Sequence, residues 1–237
     1  MTPDPIPVQA LSMLECRSCG AGAPRDEHFC PQCSRILSLG RHGDYFSFLG
    51  LPRRLTLDLP LLEARFRELS RLFHPDYYYN ASPSERLASL ERSSYLNDAY
   101  RTLRNPVSRI EHVLAVEGFA PVTSDRGNTV PPALLEEVFE LNEELDDIRS
   151  AREAGGDPAR LRARLEAARE PIDRKRAAHE QDLAELSARW DAQVDAPADE
   201  RRRVLEQLRQ RLLERNYLNN LIATIEREIA ALGAARG

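Results

Sequence analysis

Four cysteines sit in Cys16-Arg17-Ser18-Cys19-Gly20 and Cys30-Pro31-Gln32-Cys33-Ser34, and they are all the cysteines in a chain of 237 residues. Each C-x2-C pair presents two thiolates from one tight turn, and two such turns can close a tetrahedron around a single metal ion. Gly20 relaxes the first turn and Pro31 stiffens the second. The spacing points to a structural Zn(Cys)4 site. The rivals are iron in the same sulfur cage, a redox pair, or two disulfides, which would require an oxidising compartment. His28 lies between the pairs, and with four thiolates already present it reads as a solvent-facing loop histidine. Large apolar residues are scarce around the cysteines, so the module, taken as residues 1–40, is expected to need its metal to fold.

A second chemical cluster is His74-Pro75-Asp76, an imidazole and a carboxylate on either side of an imino acid, followed by Tyr77-Tyr78-Tyr79. The elements that must position it are two helices. Leu59, Leu62, Phe66, Leu69 and Phe73 recur at helical spacing, with Asp58 as N-cap and Pro60 in the first turn. Pro75 disfavours helical dihedrals at His74 and supplies no N–H, so this helix must stop near Phe73. Ser82-Pro83-Ser84-Glu85 is a capping box that starts the next helix, which runs to about Leu103 with Leu96, Ala99, Tyr100 and Leu103 facing back. An antiparallel hairpin holding the tripeptide at its tip would present both polar side chains at low ordering cost. Arg65, Arg67 and Arg71 give the first helix a mildly basic outer side, and Asn105-Pro106 opens a shorter helix carrying Val107, Ile110, Val113 and Leu114 and ended by Gly118.

Composition narrows the class. Ala, Leu, Glu and Arg dominate, charged residues make up 30% and aromatics 6%, which predicts an almost all-α protein. A net charge of −5 argues against a nucleic-acid partner, and no apolar run approaches a membrane span, so neither partner is expected. The opening MTPDPIPVQALSML has no Arg before position 17, so a cytoplasmic location is expected, with the mitochondrial matrix as the alternative.

Between Gly118 and Pro132 the sequence is rich in Pro, Gly and small polar residues and reads as a linker. Helices follow. The first, from Ala133, ends at Gly155-Gly156-Asp157-Pro158, and the segment to about Ala192 carries Pro171, which predicts a short helix and then a longer one beginning near that proline. A last helix starts at Ala196-Pro197-Ala198-Asp199. The three principal helices imply a bundle. Its first helix is strongly acidic, with more apolar residues (Leu134, Leu135, Val138, Phe139, Leu141, Leu145) than one buried stripe needs.

DYFSFLGL, the basic helix, HPD at the tip and LNDAYRTLRNP together resemble the J-domain of DnaJ-class co-chaperones from Asp44 to about Leu103. The resemblance implies that His74, Pro75 and Asp76 stimulate the ATPase of a DnaK-type chaperone while Arg67 and Arg71 steer docking on an acidic patch of that partner. Many J-domains continue HPD with Lys, where this chain has Tyr77. With RNPVSRIEHVLAVEG and the acidic ELNEELDDI helix added, the chain from residue 44 onward is similar to the HscB/Jac family of iron–sulfur cluster assembly co-chaperones, some of which carry an N-terminal four-cysteine module.

This similarity implies an all-α fold with the J-domain at 41–118, a linker at 119–132 and a scaffold-binding three-helix bundle at 133–237. It implies an IscU-type scaffold as partner, contacted through Leu135, Phe139, Glu140 and Glu143, with Tyr217 from the last helix, and an HscA/DnaK-type chaperone as the other partner. Glu136 stands where an apolar residue is often found. No catalytic residue and no iron–sulfur cluster of its own are expected. The alternative is a general J-protein binding unfolded polypeptide, and a metal-dependent enzyme or a zinc-ribbon nucleic-acid binder ranks lower, for want of an open metal position or a basic patch.

Overall fold

The structure, a computed structural model, describes residues 13–24, 27–39, 44–122, 130–193 and 196–234. The chain divides into two compact units, residues 1–112 and 113–237. Among the described residues the architecture is all-α apart from one small sheet.

The first unit opens with a two-stranded antiparallel sheet, β1 (Met13–Glu15) and β2 (Gly22–Pro24), with Met13 opposite Pro24 and Glu15 opposite Gly22. A short helix α1 (Tyr45–Leu49) starts at Asp44, whose side chain accepts the Phe46 N–H at 3.0 Å, and stops at Gly50, which takes the left-handed φ of 63°. Helix α2 (Leu59–Phe73) is capped by Asp58, and α3 (Pro83–Arg104) begins with the full capping box of Ser82 and Glu85. The buried faces of α2 (Leu62, Leu69, Phe73) and α3 (Leu96, Ala99, Leu103) lock the pair, and Phe66 stacks on Tyr100 at 4.3 Å between ring centres. Leu59, expected in the apolar stripe, is 48% exposed because it occupies the first helical position, before the helix meets α3. Helix α4 (Pro106–Val116) is capped by Asn105, whose Oδ1 accepts the N–H groups of Val107 and Ser108 at 2.9 and 3.1 Å.

The second unit contains α5 (Leu135–Glu153), α6 (Pro158–Ala192) and α7 (Ala198–Ala234), a three-helix bundle as expected. Leu134, Val138, Leu141, Leu145 and Ile148 meet Leu161, Leu165, Ile172, Leu218, Ile222 and Ile225 in one core. The expected break at Pro171 does not occur: α6 runs through it without interruption. Ala167 and Pro171 are both exposed, while buried Leu165 and Ile172 fix the helix on the core and offset the lost hydrogen bond. Charge pairs tie the helices at their flanks. Arg164 clasps Glu144 through two bonds of 2.8 and 3.0 Å, and Arg149 reaches Glu228 at 2.7 Å. Inside, His179 bridges the Lys175 carbonyl at 2.9 Å and the Glu214 carboxylate at 2.8 Å. Among the described residues, no helix is long and apolar enough to cross a membrane.

Candidate functional site

The sulfur cluster is built from two matching turns. In the first, Gly20 N–H donates to the Cys16 carbonyl at 2.8 Å and Cys16 N–H to the Ala21 carbonyl at 2.8 Å. In the second, Ser34 N–H donates to Cys30 at 2.9 Å and Cys30 N–H to Arg35 at 2.8 Å. The position after each second cysteine is left-handed in both, Gly20 at φ 74° and Ser34 at φ 55°, so the second turn carries strain that the first avoids.

The turns converge. Sγ atoms of Cys16 and Cys33 lie 3.7 Å apart, as do those of Cys19 and Cys30, and all four fall within 4.8 Å of one another. A tetrahedron with Zn–S bonds of about 2.3 Å has edges of about 3.8 Å, whereas a disulfide requires about 2.05 Å. The donor set therefore fits one tetrahedral metal ion.

Proton affinities point the same way. Desolvation raises the Cys16 thiol, but the N–H groups of Ser18 and Cys19 aimed at it outweigh this and leave it lowered to about 7. At Cys19 the Ala21 N–H lowers the thiol, yet burial and the three neighbouring sulfurs push it up to about 12. Four sulfurs this close cannot all ionise without a cation among them.

The module packs on the helical hairpin, which corrects the reading of His28. It is half-buried against the hairpin: its ring stands edge-on to Phe48 and Phe73 at 5.0 and 4.9 Å, and Nδ1 meets Arg92 at 2.7 Å. Arg92, wholly buried on α3, also donates to the carbonyls of Leu37 (2.8 Å), Glu27 (3.3 Å) and Ser38 (3.3 Å). Sequence reasoning missed Arg92. The signal was its place on the apolar face with Ala88, Leu96, Ala99 and Leu103, where a lone arginine demands buried partners.

At the hairpin apex, His74 takes extended dihedrals (φ −60°, ψ 126°) ahead of Pro75, and residues Pro75–Tyr78 form a single 3-10 turn. His74 Nδ1 accepts the Asp76 N–H at 3.3 Å, leaving Nε2 as the donor of the neutral ring. Both side chains are presented, His74 at 52% and Asp76 at 87% exposure. Tyr78 braces the turn by donating its hydroxyl to the Leu72 carbonyl at 3.0 Å, while Tyr77 and Tyr79 are exposed. Arg67 and Arg71 lie on the exposed side of α2. Arg67 pairs with Glu63 one turn back, and Arg71 has no ion pair among the described residues.

On α5, Leu135, Glu136, Phe139, Glu140 and Glu143 all face solvent, opposite the buried Val138, Leu141 and Leu145. Leu135 at 56% and Phe139 at 64% exposure are large apolar groups with no place in the bundle core. Tyr217 is different: it is half-buried and packs against that core from α7. Beside Glu140, a cavity of about 320 Å3 runs between α5 and α6 over Leu141, Ala168, Pro171 and Ile172.

A helical hairpin carries His-Pro-Asp at its apex and the sulfur module on its flank, and a three-helix bundle follows in the chain. No family model matches the chain. Among solved structures it is similar to human co-chaperone protein HscB, with 25% identity, 91% of this chain and 98% of that chain covered, and a TM-score of 0.61. It is likewise similar to chaperone HscB from Vibrio cholerae, with 26% identity, 80% and 99% coverage, and a TM-score of 0.56. The structural neighbours of this chain are thus HscB co-chaperones, in agreement with the resemblance read from the sequence.

Proposed function

We propose that this protein is an HscB-type co-chaperone that binds an IscU-type iron–sulfur scaffold and delivers it to a DnaK/HscA-type chaperone, stimulating that chaperone's ATPase through His74, Pro75 and Asp76. The observation that carries the reading is the displayed apex, with an imidazole donor and an exposed carboxylate fixed by one proline-led turn. Such a tip can hydrogen-bond to a partner with little ordering cost. Arg71 and Arg67 on the adjoining helix supply positive charge for steering toward an acidic surface.

Leu135, Phe139, Glu140 and Glu143 form the scaffold-binding patch on α5, and Tyr217 contributes from α7. Exposed apolar groups ringed by carboxylates suit a partner surface with an apolar hollow and basic rim. They favour a defined folded partner over unfolded polypeptide in general, which is the alternative. The chain performs no catalysis of its own; hydrolysis belongs to the chaperone.

The four cysteines hold zinc, which cross-links two turns and carries out no reaction. Because the thiols must lose protons to bind it, loading of the module weakens as pH falls. A thiolate–zinc site suits a reducing compartment, the cytoplasm or, as the alternative, the mitochondrial matrix.

The test is His74→Gln. Steady-state ATP turnover by a DnaK/HscA-type chaperone, measured with saturating scaffold, is expected to lose its stimulation, while scaffold affinity by calorimetry stays the same. Full stimulation by the variant would refute the assignment of the tip.

A further inference from the structure

We infer that the metal-holding module is a clamp on the displayed tip and that Arg92 is its positioning residue, so that loading of the four cysteines is felt at His74 and Asp76. The inference rests on the tip being the chaperone-binding element proposed above, and adds how that element is kept in shape.

The tip has two shoulders, and the module grips both. On the leading side is Phe73, the residue immediately before His74, with its ring wholly buried. Two module rings cover it: His28 stands edge-on at 4.9 Å and Phe29 lies tilted at 6.2 Å. Its carbonyl is held from below by the hydroxyls of Ser89 and Ser93, at 2.7 and 2.8 Å. On the trailing side is the capping box that launches α3. There Glu85 accepts from Ser82 N–H at 3.2 Å and Ser82 Oγ at 2.6 Å, and the module's Arg35 pairs with the same Glu85 oxygen at 3.0 Å.

Arg92 ties the two halves together. Its guanidinium lies 5.6 Å from the Phe73 ring centre, and all of its hydrogen-bond partners given above come from residues 27–38 of the module. No carboxylate is among those partners, so the charge is satisfied by carbonyl oxygens and one imidazole. Those acceptors stay in place only while the short loop that carries them is folded, and the loop includes the Cys30 and Cys33 turn. Loss of the metal would leave a buried cation without acceptors and Phe73 without its cover, and the hairpin must open locally at its tip to hydrate both.

The experiment is hydrogen–deuterium exchange on the full chain, zinc-loaded and then stripped by a chelator. On stripping, amides of residues 74–81 are expected to exchange about tenfold faster, with those of α5 to α7 unchanged. Unchanged exchange at 74–81 while residues 13–39 become labile would overturn the clamp. In the zinc-loaded state, Arg92→Met is expected to reproduce the tip exchange with zinc still bound one per chain, and to raise the concentration needed for half-maximal ATPase stimulation. Protection equal to wild type would remove Arg92 from this role. Should Arg92→Met not fold, the surface change Arg35→Ala reads the trailing shoulder alone, with a rise of about twofold at 79–82 expected and no change counting against the clamp. If wild type fails to stimulate any DnaK-type ATPase, the proposed function falls, while the exchange result still judges the clamp.

Discussion

Asp44 shows how much one residue can carry. It caps α1, pairs with Arg53 at 2.6 Å and lies near the His112 ring. Burial alone would raise its carboxyl, but the contacts with His112 and Arg53 prevail and hold it down to about 2, from an ordinary 3.8. A folded value below the unfolded one stabilises the native state above about pH 4, and the contribution disappears as pH falls through about 2. At 1.36 kcal/mol per unit, that is on the order of 2 kcal/mol. Asp44→Asn keeps a cap and loses the charge. It is expected to destabilise the first unit by about 1–2 kcal/mol at pH 7 in urea unfolding, with the gap to wild type closing as pH drops from about 4 to about 2. At this scale the cysteines and the His-Pro-Asp tip were legible, because their chemistry is local: spacing along a turn sets sulfur geometry, and proline dictates its own dihedrals and those before it. His28 and Arg92 were not, because the hydrogen bonds their side chains make span more than fifty residues of sequence, and a local reading makes them surface groups.

The helices themselves were marked by their caps. Asp58, Ser82 with Glu85, Asn105 and Asp157 each accept the backbone bonds their types promise, so helix starts fell where expected. Pro171 misled because a missing donor and a ring clash were weighed without the packing that offsets them. That imbalance makes a prediction: Pro171→Ala restores the N–H to the Ala167 carbonyl and should stabilise the bundle by about 1–3 kcal/mol, less the unfolded-state entropy that proline had removed, seen as a higher thermal midpoint. Helix α5 gives the complementary case. Its buried face and its exposed face hold similar residues, and exposure separates structure from recognition. Leu145→Ala should cost about 2–5 kcal/mol of stability. Phe139→Ala should change stability by less than about 0.5 kcal/mol, while scaffold affinity measured by calorimetry falls by tenfold or more, on the order of a hot-spot loss. Equal destabilisation by the two changes would return Phe139 to the core and remove it from the patch.

At the scale of the molecule, the proposed activity lies in neither surface alone. The tip and the α5 face belong to different compact units, each with its own buried residues. What the chain contributes is their covalent connection, which makes a scaffold held by one unit a high local concentration for whatever the other unit docks on. His74→Gln should still capture scaffold, and Phe139→Ala should still dock on the chaperone. Neither should promote scaffold-dependent ATP turnover at low scaffold concentration. Mixing the two variants in equal amounts distinguishes bridging from two separable activities. If the surfaces act independently, each variant supplies what the other lacks and turnover recovers. If one chain must hold both partners at once, the mixture stays inactive, and His74→Gln added to wild type lowers turnover further by occupying scaffold unproductively. A mixture that recovers wild-type turnover would leave the hairpin and the bundle as independent binding modules on one chain.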